Sequence, residues 1–122
     1  MPKFVEMDPT VPLAAQLADE GGPVVLVNTF VVPPRDADRL LEAWTRDAGV
    51  MKRQPGFISA QLHRGIAGSG TFLNYAVWQS TAHFRAAFSN PEFQAQLGAY
   101  PESATASPHL FRKVEVPGIC VA

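Results

Sequence analysis

The chain has 122 residues, a formal net charge of −1, 17% charged residues and 47% hydrophobic ones. That length supports one domain with a real core, and balanced charge without a basic stripe excludes nucleic acid as the main partner. A single cysteine, Cys120, excludes a disulfide framework and fits a reducing cytoplasm.

No apolar stretch approaches the ~20 residues that span a bilayer, so no membrane partner is expected. Glu6 and Asp8 interrupt the N-terminus, which lacks the apolar run of a signal peptide. Residues 1–23 read as an N-terminal arm, with Pro at 2, 9, 12 and 23 and a Gly21-Gly22 break. Thr10 and Pro12 suit the start of a short helix over Leu13–Ala18. The arm is expected to pack on the domain or on a partner subunit. Residues 24–122 read as a single domain with a short C-terminal tail.

Val24–Val32 is rich in β-branched residues and reads as a buried strand. Strand side chains alternate faces, so Leu26, Asn28 and Phe30 share one face and Val25, Val27, Thr29 and Val31 the other. Pro33-Pro34 ends it. Asp36 can open a helix to Arg53 whose apolar stripe is Ala37, Leu40, Leu41, Trp44, Ala48 and Met51, with Trp44 read as core. A turn at Pro55-Gly56 leads to a second strand, Phe57–Arg64. The Gly-rich link Gly65–Gly70 reads as a hairpin loop into a third strand, Phe72–Trp78. Its glycines lack the spacing of a phosphate cradle.

Ser80 or Thr81 caps the next helix, with Phe84, Ala87 and Phe88 inward. Asn90-Pro91 restarts it with Phe93 and Leu97 inward. Pro101–Pro108 reads as a polar loop and His109–Val116 as the last strand, stopped by Pro117-Gly118. The order strand, helix, strand, strand, helix, strand is α+β: the ferredoxin-like β-α-β-β-α-β sandwich. The first and third strands are expected to be central, parallel neighbours. One sheet face would carry the helices; the other, apolar and uncovered, would stack against a second copy in a homodimer.

The third strand carries the most chemistry. Asn74, Ala76 and Trp78 share a face, placing an amide and an indole about 13–14 Å apart. A buried amide without partners costs about 1–3 kcal/mol, so a strand built only for packing has little use for it. A pocket for a flat, polar ligand does. Asn28 converges on the same place. His63, His83 and His109 lack metal-ligand spacing, no metal site is expected, and no serine has the flanking sequence of a nucleophile elbow. Arg64 and Arg85 are candidates to hold a substrate carboxylate.

Several segments carry a family resemblance between Val24 and Val116. They are Val27-Asn28-Thr29-Phe30, Pro55-Gly56-Phe57-Ile58-Ser59-Ala60-Gln61-Leu62-His63-Arg64, Asn74-Tyr75-Ala76-Val77-Trp78-Gln79-Ser80 and Asn90-Pro91-Glu92-Phe93. Together they resemble the antibiotic-biosynthesis monooxygenase domain, a family of dimeric α+β barrels. The resemblance implies oxidation of a phenolic, anthrone-type or hydroquinone-type aromatic by O2, without metal, flavin or other cofactor. It also implies Asn28, Asn74 and Trp78 as catalytic residues. Phe84, Phe88, His63 and His83 are the residues assigned to substrate binding. The haem-degrading branch, which resembles the chain in Asn and Trp, needs an iron-ligating His where this sequence has Phe88. Some quinone-forming members carry Tyr where this sequence has Phe84. Two alternatives stand beside the oxygenase: a haem-binding or haem-degrading protein, and a non-catalytic barrel that binds a small aromatic molecule.

Overall fold

Helix spacing and strand alternation place most elements where the sequence puts them. The computed structural model describes residues 1–121. Two arm elements, β1 (Lys3–Phe4) and α1 (Leu13–Leu17), precede β2 (Val24–Val31). A 3-10 turn over Pro34–Asp36 then leads into α2 (Ala37–Met51). Next come β3 (Phe57–Arg64), β4 (Thr71–Trp78), α3 (Thr81–Phe88) and α4 (Pro91–Gln96). A 3-10 turn over Leu97–Ala99 and β5 (Thr105–Phe111) complete the fold.

One sheet runs in the order β1-β5-β2-β4-β3, the ferredoxin-like α+β arrangement with one extra edge strand. β2 and β4 are central neighbours, but they run antiparallel where the sequence reading expected a parallel pair. The crossover through α2 returns β3 parallel to β2 one place away, and the hairpin then sends β4 back through the gap. The helices cover one face. Leu26, Phe30, Phe72, Ala76 and Trp78 meet Leu40, Ala43, Phe84, Phe93 and Leu97 in one core. Val25, Val27 and Tyr75 lie on the opposite face, none of them buried.

Local chemistry fixes the helix ends. Ser80 Oγ accepts the His83 backbone N–H at 3.1 Å, and Asn90 Oδ1 accepts that of Glu92 at 2.8 Å. Each such cap is worth about 1 kcal/mol. Asp36 precedes α2 without capping it; its carboxylate instead accepts the Ser103 hydroxyl at 2.7 Å. At the hairpin base Gly70 is obligatory, because a Cβ there would sit 1.9 Å from the Val32 carbonyl oxygen.

Two segments differ from expectation. β5 begins at Thr105 and ends at Phe111, where the sequence reading expected a loop to Pro108 and a strand over His109–Val116. Pro108 is tolerated because β5 pairs with β1 only at Thr105 and Ala106, so beyond them that edge needs no N–H. The arm adds a strand: Lys3 N–H donates to Ala104 O and Val5 N–H to Ala106 O, both at 2.9 Å. It is further held by Gln16, whose Oε1 accepts the Leu110 N–H at 2.7 Å.

Candidate active site

The inner faces of β2 and β4 form the floor of a cavity beneath the helices. Asn28 lies directly opposite Asn74 in the ladder, so their Cβ atoms stand about 4.5–5.5 Å apart. Trp78 follows on the same face beyond Ala76, and all three residues line the cavity. Asn28 Oδ1 accepts the Ser107 backbone N–H at 3.1 Å. That bond fixes which way the amide points and leaves Nδ2 as its unengaged donor among the described residues. Asn74 Oδ1 and Trp78 Nε1 are buried with no hydrogen-bond partner among the described residues. Each such atom costs about 1–3 kcal/mol, and two in one cavity point to a polar ligand.

The walls are aromatic. Trp78 meets Phe57 edge-on at 5.4 Å and 85° and Phe84 at 5.6 Å and 67°. Phe88 continues the run at 5.7 Å from Phe84, and Phe93 lies 5.5 Å beyond. Trp44, Asp47, Ala48 and Met51 of α2 form part of the roof. Trp44, partly buried, packs against the core as the sequence predicts and also contributes to the cavity wall. Pro2 and Phe4 bring the arm to the cavity. The cavity has a volume of about 60 Å³ and is a narrow, largely apolar slot.

Asp47 and Tyr100 also line the slot, and the sequence reading passed over both. Tyr100 is buried, its ring stacked on Phe30 at 5.6 Å. Its hydroxyl donates to Asp47 Oδ2 at 2.7 Å. Burial pushes the Asp47 carboxyl up to about 6, against the opposing effect of the Tyr100 hydrogen bond. Burial and the Asp47 charge push the Tyr100 hydroxyl well above the usual range, so it remains a fixed donor. One signal was available: Asp47 sits three residues after Trp44 and four before Met51, on the stripe assigned to the core.

The remaining candidates lie elsewhere. His63 pairs with Leu73 on the sheet face away from the helices and is exposed. His83 stands at the start of α3, its Nδ1 2.6 Å from Ser80 Oγ. Its ring packs so closely on Gly56 that a Cβ there would approach within 2.3 Å. Neither histidine lines the slot, whereas Phe84 and Phe88 both do. Arg64 donates to Ser69 O and Arg85 to Leu17 O at 2.7 Å, tethering the arm. Among the described residues no three His, Cys, Asp or Glu side chains gather into a metal-binding group. No helix among them is long and apolar enough to cross a membrane.

A helix-covered ferredoxin-like sheet with an amide and indole slot on its inner face defines the class of protein. Residues 23–97 match the family model for antibiotic biosynthesis monooxygenase, and the chain belongs to that family. It is 38% identical over 73 residues to the tetracenomycin-F1 monooxygenase of Streptomyces glaucescens, covering 57% of this chain and 62% of the relative. The chain thus matches less than two thirds of that relative's length. It is 30% identical over 76 residues to the mycobilin-producing heme oxygenase of Mycobacterium tuberculosis, covering 62% of this chain and 72% of the relative. Among solved structures it resembles SnoaB, a cofactor-independent oxygenase from Streptomyces nogalater. That similarity has a TM-score of 0.68 at 27% identity, over 80% of this chain and 99% of the other.

Proposed function

We propose that the chain is a cofactor-independent monooxygenase that oxidises a phenolic, anthrone-type aromatic to a quinone with O2. The observation that carries this is the pair of orphaned buried atoms, Asn74 Oδ1 and Trp78 Nε1, in a thin aromatic slot. A planar ring fits between the phenylalanines and the α2 roof, with its oxygens over the Asn28 and Asn74 pair. Asn74 can accept an aryl O–H through Oδ1 and, turned about its side chain, donate N–H to the oxyanion. Asn28 offers Nδ2. Such donors in a dry site stabilise developing negative charge far better than water does. The aryl anion passes an electron to O2, and the radical pair combines at a ring carbon. The O–O bond then breaks, leaving one oxygen as the quinone carbonyl. The other leaves as water with the two hydrogens lost from that carbon.

An oxygen electrode with a dihydroxyanthrone tests this. Expected is saturable O2 uptake, one O2 per quinone, with no O2 returned on adding catalase. Uptake no faster than the buffer reaction would refute it, and a catalase-sensitive signal would show an oxidase instead. Trp78→Phe is expected to keep the fold, since a ring remains against Phe57 and Phe84, and to lower turnover by roughly tenfold through loss of the indole donor. Unchanged turnover would remove Trp78 from the site.

Haem does not fit this lining. Phe88 offers no ligating atom, the slot contains no His or Cys among the described residues, and the Tyr100 hydroxyl is held as a donor to Asp47. Titration with haemin is expected to give no new Soret band above that of free haemin; a stoichiometric band would contradict this. We also place the enzyme in the cytoplasm, consistent with the exposed free thiol of Cys120. Two copies are proposed to stack through the outer sheet face, where Val31 is 51% and Tyr75 39% exposed. Light scattering should give twice the 13.2 kDa chain mass, and a clean monomer at micromolar concentration would rule the dimer out.

A further inference from the structure

Asp47 is the one charged side chain among the described residues that line the slot. It projects from the α2 roof, while Asn28 and Asn74 form the floor, so a planar ligand would lie between them. A carboxylate on an apolar stripe between Trp44 and Met51 has no packing purpose, and it draws no ion pair among the described residues. Its one side-chain partner is the Tyr100 hydroxyl, which occupies Oδ2 and leaves Oδ1 without a hydrogen bond among the described residues.

On the oxygenase reading above, we propose that Asp47 is the base that takes the aryl hydroxyl proton of the substrate, with Tyr100 as the positioning residue that aims Oδ1 at it. The substrate reacts as its hydroxyanthracene tautomer, in which one of the two hydrogens of the reacting carbon has moved to the opposite ring oxygen. That O–H bond breaks and an O–H bond forms on Asp47. The electron pair stays on the aryl oxygen, so the negative charge moves from carboxylate to aryl oxyanion beside the two amides. O2 is the oxidant for the electrons released afterwards. Asp47 then gives its proton to the reduced oxygen, or to solvent, and is reset.

The electrostatic setting suits this task. The other charged groups of α2, Asp38, Arg39, Glu42 and Arg46, are exposed. Arg35 of the preceding turn is exposed, and Asp36 is engaged by Ser103 and Arg39. Glu92 of α4 pairs with Arg53 at 2.9 Å, and Lys3 of β1 is exposed. Asp47 therefore titrates against its own burial and Tyr100. Its carboxyl, raised to about 6, lies near working pH, where a general base is most effective.

The test is O2 uptake with dihydroxyanthrone from about pH 5 to 10, for wild type, Asp47→Asn and Tyr100→Phe. Asp47→Asn keeps the shape and the acceptor for Tyr100. Its kcat should fall roughly 10²–10⁴-fold at pH 7, the usual scale for losing a general base, with binding of the anthraquinone product retained. The deficit should shrink toward pH 10, where solvent ionises the aryl hydroxyl. Wild type should lose activity on the acid side as Asp47 protonates. Tyr100→Phe should move that limb to higher pH, because the lost hydrogen bond had favoured the carboxylate. If Asp47→Asn fails to fold, the wild-type limb and its displacement in Tyr100→Phe decide the matter. An active wild type beside an equally active Asp47→Asn, a deficit equal at every pH, or a Tyr100→Phe limb that does not move overturns the assignment alone. A wild type without O2 uptake overturns the oxygenase function, and this role with it.

Discussion

Asn74→Ala is expected to lower kcat by roughly 10²-fold, the scale for losing one oxyanion-hole donor, without lowering the melting temperature. The two halves of that result have separate causes. In the free protein Asn74 Oδ1 is buried and unpartnered, so truncation removes a desolvation cost and breaks no side-chain hydrogen bond. The catalytic loss arises only when a substrate oxygen needs the amide. Asn28→Ala should behave differently, because Asn28 Oδ1 holds the Ser107 N–H at 3.1 Å. Losing that bond should cost about 1 kcal/mol in addition to the loss of turnover. Thermal melts and steady-state kinetics on the two variants separate these effects. A destabilised Asn74→Ala with normal turnover would make the amide a packing group.

Asp47→Asn is expected to stabilise the protein above pH 6 while it slows the enzyme. The carboxyl ordinarily titrates near 3.8 and in the fold near 6. Below about pH 4 both folded and unfolded chains hold the proton, and burial has no pH-linked cost. Between pH 4 and 6 the unfolded chain releases its proton first, so stability falls as pH rises. At 1.36 kcal/mol per tenfold change in proton affinity, the cost above pH 6 is about 3 kcal/mol. Asn carries no charge and keeps an acceptor for Tyr100, so up to that amount returns, roughly 10 °C in melting temperature for a domain of this size. Denaturation of both proteins at pH 4 and pH 8 checks the sign: a gain at pH 8 that vanishes at pH 4. An equal gain at both would trace the effect to packing.

Strand alternation alone made the floor of the site legible. Asn28, Asn74 and Trp78 fall on one face of two strands, and period-2 geometry leaves no other placement once each strand is accepted. The direction of pairing was not legible from element order until the hairpin's reversal was followed through, and it sets Asn28 against Asn74. Pro108 misled the reading of β5, because a proline bars a strand only where its N–H is needed. β1 contributes two residues, too few to show any alternation. Asp47 was hidden by habit of composition, since a carboxylate between Arg46 and Ala48 reads as the solvent side of a helix. Only its spacing from Trp44 and Met51 says otherwise. Tyr100, fifty-three positions away from Asp47, belongs to it through the fold alone. The histidines err in the opposite direction. Their chemistry suits a base, but strand phase carries His63 to the far face and the contact with Gly56 holds His83 outside the slot.

A crystal structure of the protein with a hydroxylated anthraquinone tests the account most directly. The ring system should lie in the slot between the Phe84 and Phe88 wall and α2. One ligand oxygen should sit within hydrogen-bonding distance, about 2.7–3.2 Å, of Asn74, and another atom of the ligand or a bound water should satisfy Trp78 Nε1. A ligand seated on the outer sheet face, or a filled slot in which Asn74 Oδ1 and Trp78 Nε1 remain unpartnered, would contradict the claim that these atoms are kept unpaired for a substrate.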